Sequence, residues 1–242
     1  MPLEAETRWA DALIGALSPE EQLRRSSFCD PEEGRRWALA RGGLRAVLAA
    51  YVRQPPRALR LNHGPYGKLE LEEHRLSFSV THSDIAVYAL ARDRRVGVDA
   101  ERIVPQRASL LVADTFLSAR SSTHLRNQPA ERFPREFFRL WTRHEALAKA
   151  VGTGLPDGQP DPTPAGWWVC ELPIGDAYAA AVAVEGDACP VLLVRLRPQP
   201  GNHAPDRQRE PSQPRAVNHR SRAARLEGKG HATVPASDLL TL

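Results

Sequence analysis

Glu145 and Lys149 are the residues whose types and spacing point most directly to chemistry in this sequence. They lie four residues apart in the stretch WTRHEALAKAVGTGL, so a helix would place them one turn apart on one face. A carboxylate and an ammonium group in that arrangement can serve as a base and an acid. The same spacing is also among the commonest stabilising pairs on exposed helices, so the pair alone does not identify a site.

A second group of carboxylates, Asp99 and Glu101, directly follows an apolar run. Residues i and i+2 of a strand face the same side, so these two side chains would project together. With Glu145 they offer three carboxylates to one hard cation, and Mg²⁺ accepts such ligands together with phosphate oxygens and water. The alternative for this segment, taken alone, is a strand end that is simply solvated.

Phosphate oxygens would in turn need basic partners, and several basic residues are available. A lone histidine at a strand end or a single Gly-Lys pair is commonly structural, so none of these residues carries an assignment by itself. The candidates are Lys68, His82, Lys149 and the arginines Arg24, Arg36, Arg41 and Arg45.

The hydrophobic pattern predicts the elements that must position these residues. Apolar residues at helical spacing predict helices over residues 32–52 and 133–151. Alternating and β-branched runs predict six strands, at 76–80, 85–91, 96–99, 167–172, 178–184 and 191–196.

A long helix followed by an antiparallel meander occurs twice in this pattern. It predicts an α+β fold of two similar subdomains, each a long helix packed on a small antiparallel sheet. We place the subdomains at residues 1–95 and 96–197.

The C-terminal segment 198–242 holds most of the net charge of +4, with seven basic and four acidic residues. It contains no Phe, Trp or Tyr and is rich in polar residues and proline, which predicts a disordered tail. A basic nucleic-acid-binding protein is therefore one functional hypothesis. Its support is confined to this tail, which offers no stacking platform and no recognition-helix motif, so we expect no specific nucleic-acid binding.

Composition bounds the class of protein further. The 242 residues are 42% hydrophobic and 26% charged, which is typical of a soluble globular protein. No apolar run approaches the roughly 20 residues of a membrane span, and the N-terminus does not resemble a signal peptide. The three cysteines are widely spaced and suggest neither disulfides nor a zinc site. We therefore expect a cytoplasmic protein without a membrane partner.

Four short motifs, in one order, carry a resemblance to a known family. They are Gly67-Lys68, FSVTHS at 78–83, VGVDAE at 96–101 and WTRHEALAK at 141–149. In this order and at these separations they resemble the 4′-phosphopantetheinyl transferase superfamily, specifically its Sfp-type branch, whose chains contain two pseudo-repeated halves. The resemblance covers roughly residues 15–197 and excludes the tail.

The resemblance implies transfer of 4′-phosphopantetheine from coenzyme A to a serine of an acyl or peptidyl carrier protein, with release of 3′,5′-ADP. It implies that Asp99, Glu101 and Glu145 hold Mg²⁺, for which Mn²⁺ could substitute. Glu145 would be the general base for the carrier serine, and Lys149 would stabilise or protonate the leaving 3′,5′-ADP. A chain with both halves would act as a monomer, a pseudo-dimer. The residues implied to bind coenzyme A are Arg36, Lys68, His82, Ser83 and His144.

The chain departs from the family pattern most consequentially at His144, where the family has lysine. Histidine is only partly protonated near neutral pH and reaches less far, so coenzyme A affinity would fall or become pH-dependent. The alternative places His144 as a satisfied core residue in the apolar stripe of Leu140, Leu147 and Val151. The missing lysine also raises a second functional hypothesis, a catalytically weakened member that binds coenzyme A or carrier protein without efficient turnover.

Overall fold

The computed structural model describes residues 7–64, 66–72, 74–152, 163–196 and 224–226. The chain begins with three helices, α1 (Thr7–Gly15), α2 (Pro19–Ser26) and α3 (Pro31–Val52). Asp30 starts α3 by accepting a hydrogen bond from the backbone N–H of Glu32 at 2.9 Å, which satisfies one of the free donors of the first turn. The helix ends at Arg53, which adopts the left-handed conformation.

Five strands follow, and all their pairings are antiparallel. They are β1 (Leu61–His63), β2 (Leu69–Leu71), β3 (Leu76–His82), β4 (Ala86–Arg92) and β5 (Val96–Arg102). β1 pairs with β2, and β3 pairs with β4 from Leu76 opposite Arg92 to His82 opposite Ala86. The hairpin of β3 and β4 packs with α3 around a core that includes Leu44, Leu48 and Phe78.

The second part of the chain repeats the helix-and-sheet arrangement. The helices are α4 (Leu110–Phe116), α5 (Ala119–Arg126) and α6 (Phe133–Val151), and the strands are β6 (Trp167–Glu171) and β7 (Tyr178–Glu185). β7 is the central strand of a three-stranded sheet with β5 and β6 at its edges. Ala146 and Ala150 of α6 pack on Ala181 and Ala183 of β7.

The predicted α+β class is confirmed, and both long helices lie where the periodicity placed them. The short strands β1 and β2 and the helices α4 and α5 were not predicted. Within the described residues, no helix combines the length and apolar character that crossing a membrane requires. The subdomain boundary between residues 95 and 96 stays a prediction.

The described residues 189–196 and 224–226 belong to a second unit. In its described part, β8 (Val191–Leu193) pairs antiparallel with β9 (Ala224–Leu226), so the strand predicted at 191–196 is shorter than expected. The predicted disordered tail at 198–242 lies outside the described residues apart from β9.

Gly97 allows β5 to lie directly against α6. A Cβ atom at this position would overlap the carbonyl oxygen of Ala146 and the backbone nitrogen of Ala150, which cannot move without displacing the helix. We expect Gly97→Ala to lower the free energy of unfolding by about 3 kcal/mol, measured by urea denaturation. Gly15→Ala is the matched control, because a Cβ there meets nothing within 4 Å. Equal stability of the two variants would contradict this close packing.

Candidate active site

Asp99 is the buried centre of the site, with only 2% of its side chain exposed. It lies in the middle of β5, and its Oδ1 accepts hydrogen bonds from two other elements. Lys149 Nζ of α6 donates at 2.6 Å, and Thr81 Oγ1 of β3 donates at 3.0 Å. Asp99 therefore connects both halves of the predicted fold through one carboxylate oxygen.

The second oxygen of Asp99, Oδ2, is buried and has no hydrogen-bond partner among the described residues. A buried carboxylate oxygen without a donor is unfavourable, because water no longer solvates it. This oxygen is therefore available to a ligand that carries positive charge.

Glu101 and Glu145 share the environment of Asp99. Burial raises the pKa of Glu101, and the charges of Asp99 and Glu145 raise it further, although Lys149 lowers it. Burial also raises the pKa of Glu145, and Asp99 adds to this while Lys149 opposes it. The three carboxylates thus repel one another, and Lys149 is the nearest compensating charge.

These residues fit a hard divalent cation in their chemistry. They supply carboxylate oxygens, mutual repulsion that a cation would relieve, and an unpartnered oxygen on Asp99. In the described part of the chain, no three carboxylate, histidine or cysteine side chains stand close enough to hold one metal ion as they are placed. Lys149 balances the charge of Asp99 in this arrangement.

We expect Mg²⁺ alone to stabilise the protein. The pKa values of Glu101 and Glu145 are raised in the folded protein, so ionisation of these groups destabilises the folded state as pH rises through those values. A bound cation would relieve this repulsion. The stabilisation by Mg²⁺ should therefore be clear at neutral pH and fade in acid, where the carboxylates are protonated. At about tenfold excess over the dissociation constant, the melting temperature should rise by about 3 °C. Differential scanning fluorimetry with Mg²⁺ and with EDTA measures this shift. Asp99→Asn should lose it, and an equal shift in that variant would contradict the assignment.

His82 lies at the exposed end of β3. Partial burial lowers the pKa of its imidazole, and the positive charges of Arg41 and Lys149 lower it further. Ser79 in the same strand accepts a hydrogen bond from the N–H of Val98 at 3.1 Å and so fixes β3 against β5. The structure therefore brings His82, Lys149 and Arg41 into one electrostatic environment.

Arg41 is the arginine of the first long helix whose charge acts on His82, and the prediction for Arg36 stays untested. Arg36 is exposed, whereas Arg41 is largely buried, stacks over the ring of Trp37 at 5.5 Å and pairs with Glu21 at 3.5 Å. Arg41 Nη1 is buried without a hydrogen-bond partner in the described part of the chain. Its place among the basic residues of the first long helix was visible in the sequence, but its burial was not.

Lys68 and Ser83 serve backbone structure in this arrangement. Lys68 Nζ donates to the carbonyl of Val96 at 3.0 Å and to that of Ala150 at 3.3 Å, so its ammonium group joins the start of β5 to the end of α6. Burial lowers the pKa of Lys68, and nearby Arg95 lowers it further. The N–H of Ser83 donates to the carbonyl of Ile85 at 2.9 Å within the turn between β3 and β4.

The loop after His82 is held by a cluster that sequence reasoning did not single out. Asp84 Oδ2 accepts hydrogen bonds from Arg102 Nη1 at 3.0 Å and from Tyr178 Oη at 3.2 Å. These residues lie at the end of β5 and the start of β7, so the cluster positions the His82 loop beside the carboxylates. The sequence signal was weak, because the three residues lie far apart along the chain.

His144 does not lie with the other predicted binding residues. Its side chain is buried, and its ring stacks on Trp141 with a centroid distance of 5.8 Å. Burial lowers the pKa of the imidazole. Neither ring nitrogen has a hydrogen-bond partner among the described residues. His144 is therefore buried like a core residue, but its polar atoms lack the hydrogen bonds that a core histidine normally makes.

Comparisons with known proteins agree with this geometry. The family model described as the 4′-phosphopantetheinyl transferase superfamily matches residues 95–177, which include Asp99, Glu101, Glu145 and Lys149. The chain is 32% identical over 203 residues to the 4′-phosphopantetheinyl transferase HetI of Nostoc sp., over 77% of this chain and 86% of that protein.

Two shorter alignments are with other 4′-phosphopantetheinyl transferases. One is 40% identical over 81 residues to the 4′-phosphopantetheinyl transferase psf-1 of Bacillus pumilus, 34% of each chain. The other is 24% identical over 155 residues to the 4′-phosphopantetheinyl transferase gsp of Aneurinibacillus migulanus, 64% of each chain.

Proposed function

This chain belongs to the 4′-phosphopantetheinyl transferase superfamily, and we propose that it moves 4′-phosphopantetheine from coenzyme A to a serine of an acyl or peptidyl carrier protein. The reaction is Mg²⁺-dependent and releases 3′,5′-ADP. The observation that carries the proposal is the buried Asp99. It is hydrogen-bonded to Lys149 and Thr81, its second oxygen has no partner among the described residues, and its charge acts on Glu101 and Glu145.

The proposed roles follow from charge and position. Glu145 accepts the proton of the carrier serine, whose oxygen attacks the phosphorus that carries the pantetheine group. The bond from that phosphorus to the bridging oxygen breaks, and 3′,5′-ADP leaves with the electron pair. Lys149 donates a proton or a hydrogen bond to that oxygen. Mg²⁺, held by Asp99, Glu101 and Glu145, would neutralise pyrophosphate charge.

His82 and Arg41 are the proposed contacts for the phosphate groups of coenzyme A. Arg41 also lines a cleft of about 660 Å³ with Arg24 and Trp37, which is large enough for a nucleotide. The guanidinium of Arg24 lies 5.3 Å from the ring of Trp37. A cleft with arginines and an aromatic ring suits the phosphorylated adenosine end of coenzyme A, and the charge of its Arg41 acts on His82.

Arg41→Gln should raise the KM for coenzyme A about tenfold with a smaller effect on kcat, because a charged hydrogen bond to phosphate is lost. Arg36→Gln removes the same charge from an exposed position five residues earlier and should leave KM within about twofold. Steady-state kinetics with a fixed carrier protein measure both constants. The reverse ranking of the two variants would restore Arg36 as the contact.

Intact-mass spectrometry of apo carrier proteins tests the whole proposal. Fatty-acid, polyketide and peptide-synthetase carriers are incubated with the protein, coenzyme A and Mg²⁺, with EDTA as the control. A gain of one phosphopantetheine group that EDTA prevents supports the proposal and ranks the carriers. No gain with folded protein would favour a weakened member instead. That alternative rests on His144, which stands where the family has lysine.

A further inference from the structure

A second cavity lies on the other side of α6 from the carboxylates. It has a volume of about 340 Å³ and is formed by α5, α6 and β6. Its α6 wall includes Leu140, His144 and Leu147. At about 100° per residue, Leu140 and Leu147 point nearly opposite to Lys149. The cavity is therefore distinct from the proposed catalytic face.

The cavity combines an apolar floor with a cationic rim. Leu117, Leu140, Leu147 and Val169 supply the apolar side chains. The rim has three arginines, and their charges are only partly compensated by acidic neighbours. Arg139 is paired with Glu136 and with Glu171, at 2.9 and 3.0 Å.

The other two rim arginines make weaker interactions with acidic residues. Arg143 lies 3.7 Å from Glu171, which Arg139 already occupies. The side chain of Arg120 has no hydrogen bond or ion pair in the described part of the chain, and the residue is exposed. The rim therefore retains positive charge for which an anion is the complementary ligand.

His144 supplies an independent reason to expect a ligand. The residue is 4% exposed, lines the cavity, and has two ring nitrogens without a hydrogen-bond partner among the described residues. Such buried groups are uncommon in folded proteins, because they lose water without gaining a replacement. A polar ligand atom in the cavity would supply that partner.

We propose that this cavity binds a small amphipathic organic anion, an aryl carboxylate or sulfonate. The flat apolar body lies on the leucines and Val169, and the acidic group lies at Arg120 and Arg143. His144 forms a hydrogen bond with a polar atom of the ligand. This site is separate from the coenzyme A site and needs neither metal nor carrier protein.

Two matched dyes test the proposal on the full chain. The first is 8-anilinonaphthalene-1-sulfonate, and the second is N-phenyl-1-naphthylamine, which has the same aromatic body without the sulfonate. Fluorescence titration should show saturable one-site binding of the sulfonate, about tenfold tighter than the uncharged dye. Circular dichroism confirms that each protein sample is folded.

Variants locate the binding site. Arg120→Glu should weaken sulfonate binding at least about tenfold, whereas Arg132→Glu, the same change on an arginine outside the cavity, should not. His144→Leu should weaken it as well. Saturating coenzyme A should leave the affinity unchanged. Equal affinity for both dyes, no effect of Arg120→Glu, or displacement by coenzyme A would each overturn the proposal.

Discussion

Glu145→Gln is expected to lower the rate of phosphopantetheinyl transfer by about 10²–10⁴-fold and to leave the fold intact. Glutamine has nearly the same shape as glutamate but cannot accept the proton of a serine hydroxyl. It also removes one of three mutually repelling carboxylates. The expected loss is therefore chemical and not structural.

The stability of Glu145→Gln shows whether a loss of rate is chemical or structural. The pKa of Glu145 is raised by burial and by Asp99, so the folded protein holds a proton on this group more readily than the unfolded chain does. Ionising Glu145 therefore weakens the folded state as pH rises through the folded pKa. In EDTA at neutral pH, the glutamine variant should be at least as stable as the parent, and this advantage should disappear in acid.

Single-turnover mass spectrometry on a reactive carrier protein gives the rate, and urea denaturation gives the stability. Glu131→Gln is the matched control, since Glu131 is exposed and precedes the same helix. Near-normal turnover of Glu145→Gln in a folded protein would show that another group removes the serine proton. A loss of rate together with a loss of stability would point to a structural role.

The positions of Glu145 and Lys149 were predictable because a helical repeat is a local property. The apolar residues of 133–151 predict which face of α6 is buried. Glu145 and Lys149 lie beside that face, one turn apart, and so on the side of α6 where Asp99 lies. The pairing of Asp99 with Glu101 was predictable for the same kind of reason, since alternation along β5 needs no knowledge of distant contacts.

The surroundings of the other predicted binding residues depend on tertiary contacts that the sequence does not encode locally. Arg36 and Arg41 lie in one helix, and only the packing of α2 and β3 against it decides which arginine approaches His82. Lys68 looked like a phosphate ligand, but the close approach of β5 to α6 presents two carbonyls to it first. His144 is about 100° from Glu145 around α6, and it lines the cavity next to α5 and β6, which Glu145 does not.

Lys149→Met is expected to lower the transfer rate by about 10²–10³-fold and, at the same time, to tighten Mn²⁺ binding. The rate falls because no cation remains opposite the leaving oxygen. The metal binds more tightly because Lys149 Nζ, at 2.6 Å from Asp99 Oδ1, competes for the same carboxylate. If Lys149 only helped to hold the metal, its removal would weaken Mn²⁺ binding.

The stability of the variant tests this competition independently of activity. Without metal, Asp99 of this variant keeps, among the described residues, only the hydrogen bond from Thr81. An almost fully buried carboxylate therefore loses its counter-charge. Removing one partner of a buried pair should lower the free energy of unfolding by about 3 kcal/mol. Mn²⁺ should restore more stability to Lys149→Met than it adds to the parent, because the cation replaces the missing ammonium group.

Lys149→Arg is the matched control, since it keeps a positive charge within reach of Asp99. It should retain the Mn²⁺ affinity of the parent, whatever its activity. Electron paramagnetic resonance of free Mn²⁺ gives the affinities, and urea denaturation with and without Mn²⁺ gives the stabilities. Weaker Mn²⁺ binding in Lys149→Met than in the parent would mean that Lys149 supports the metal site.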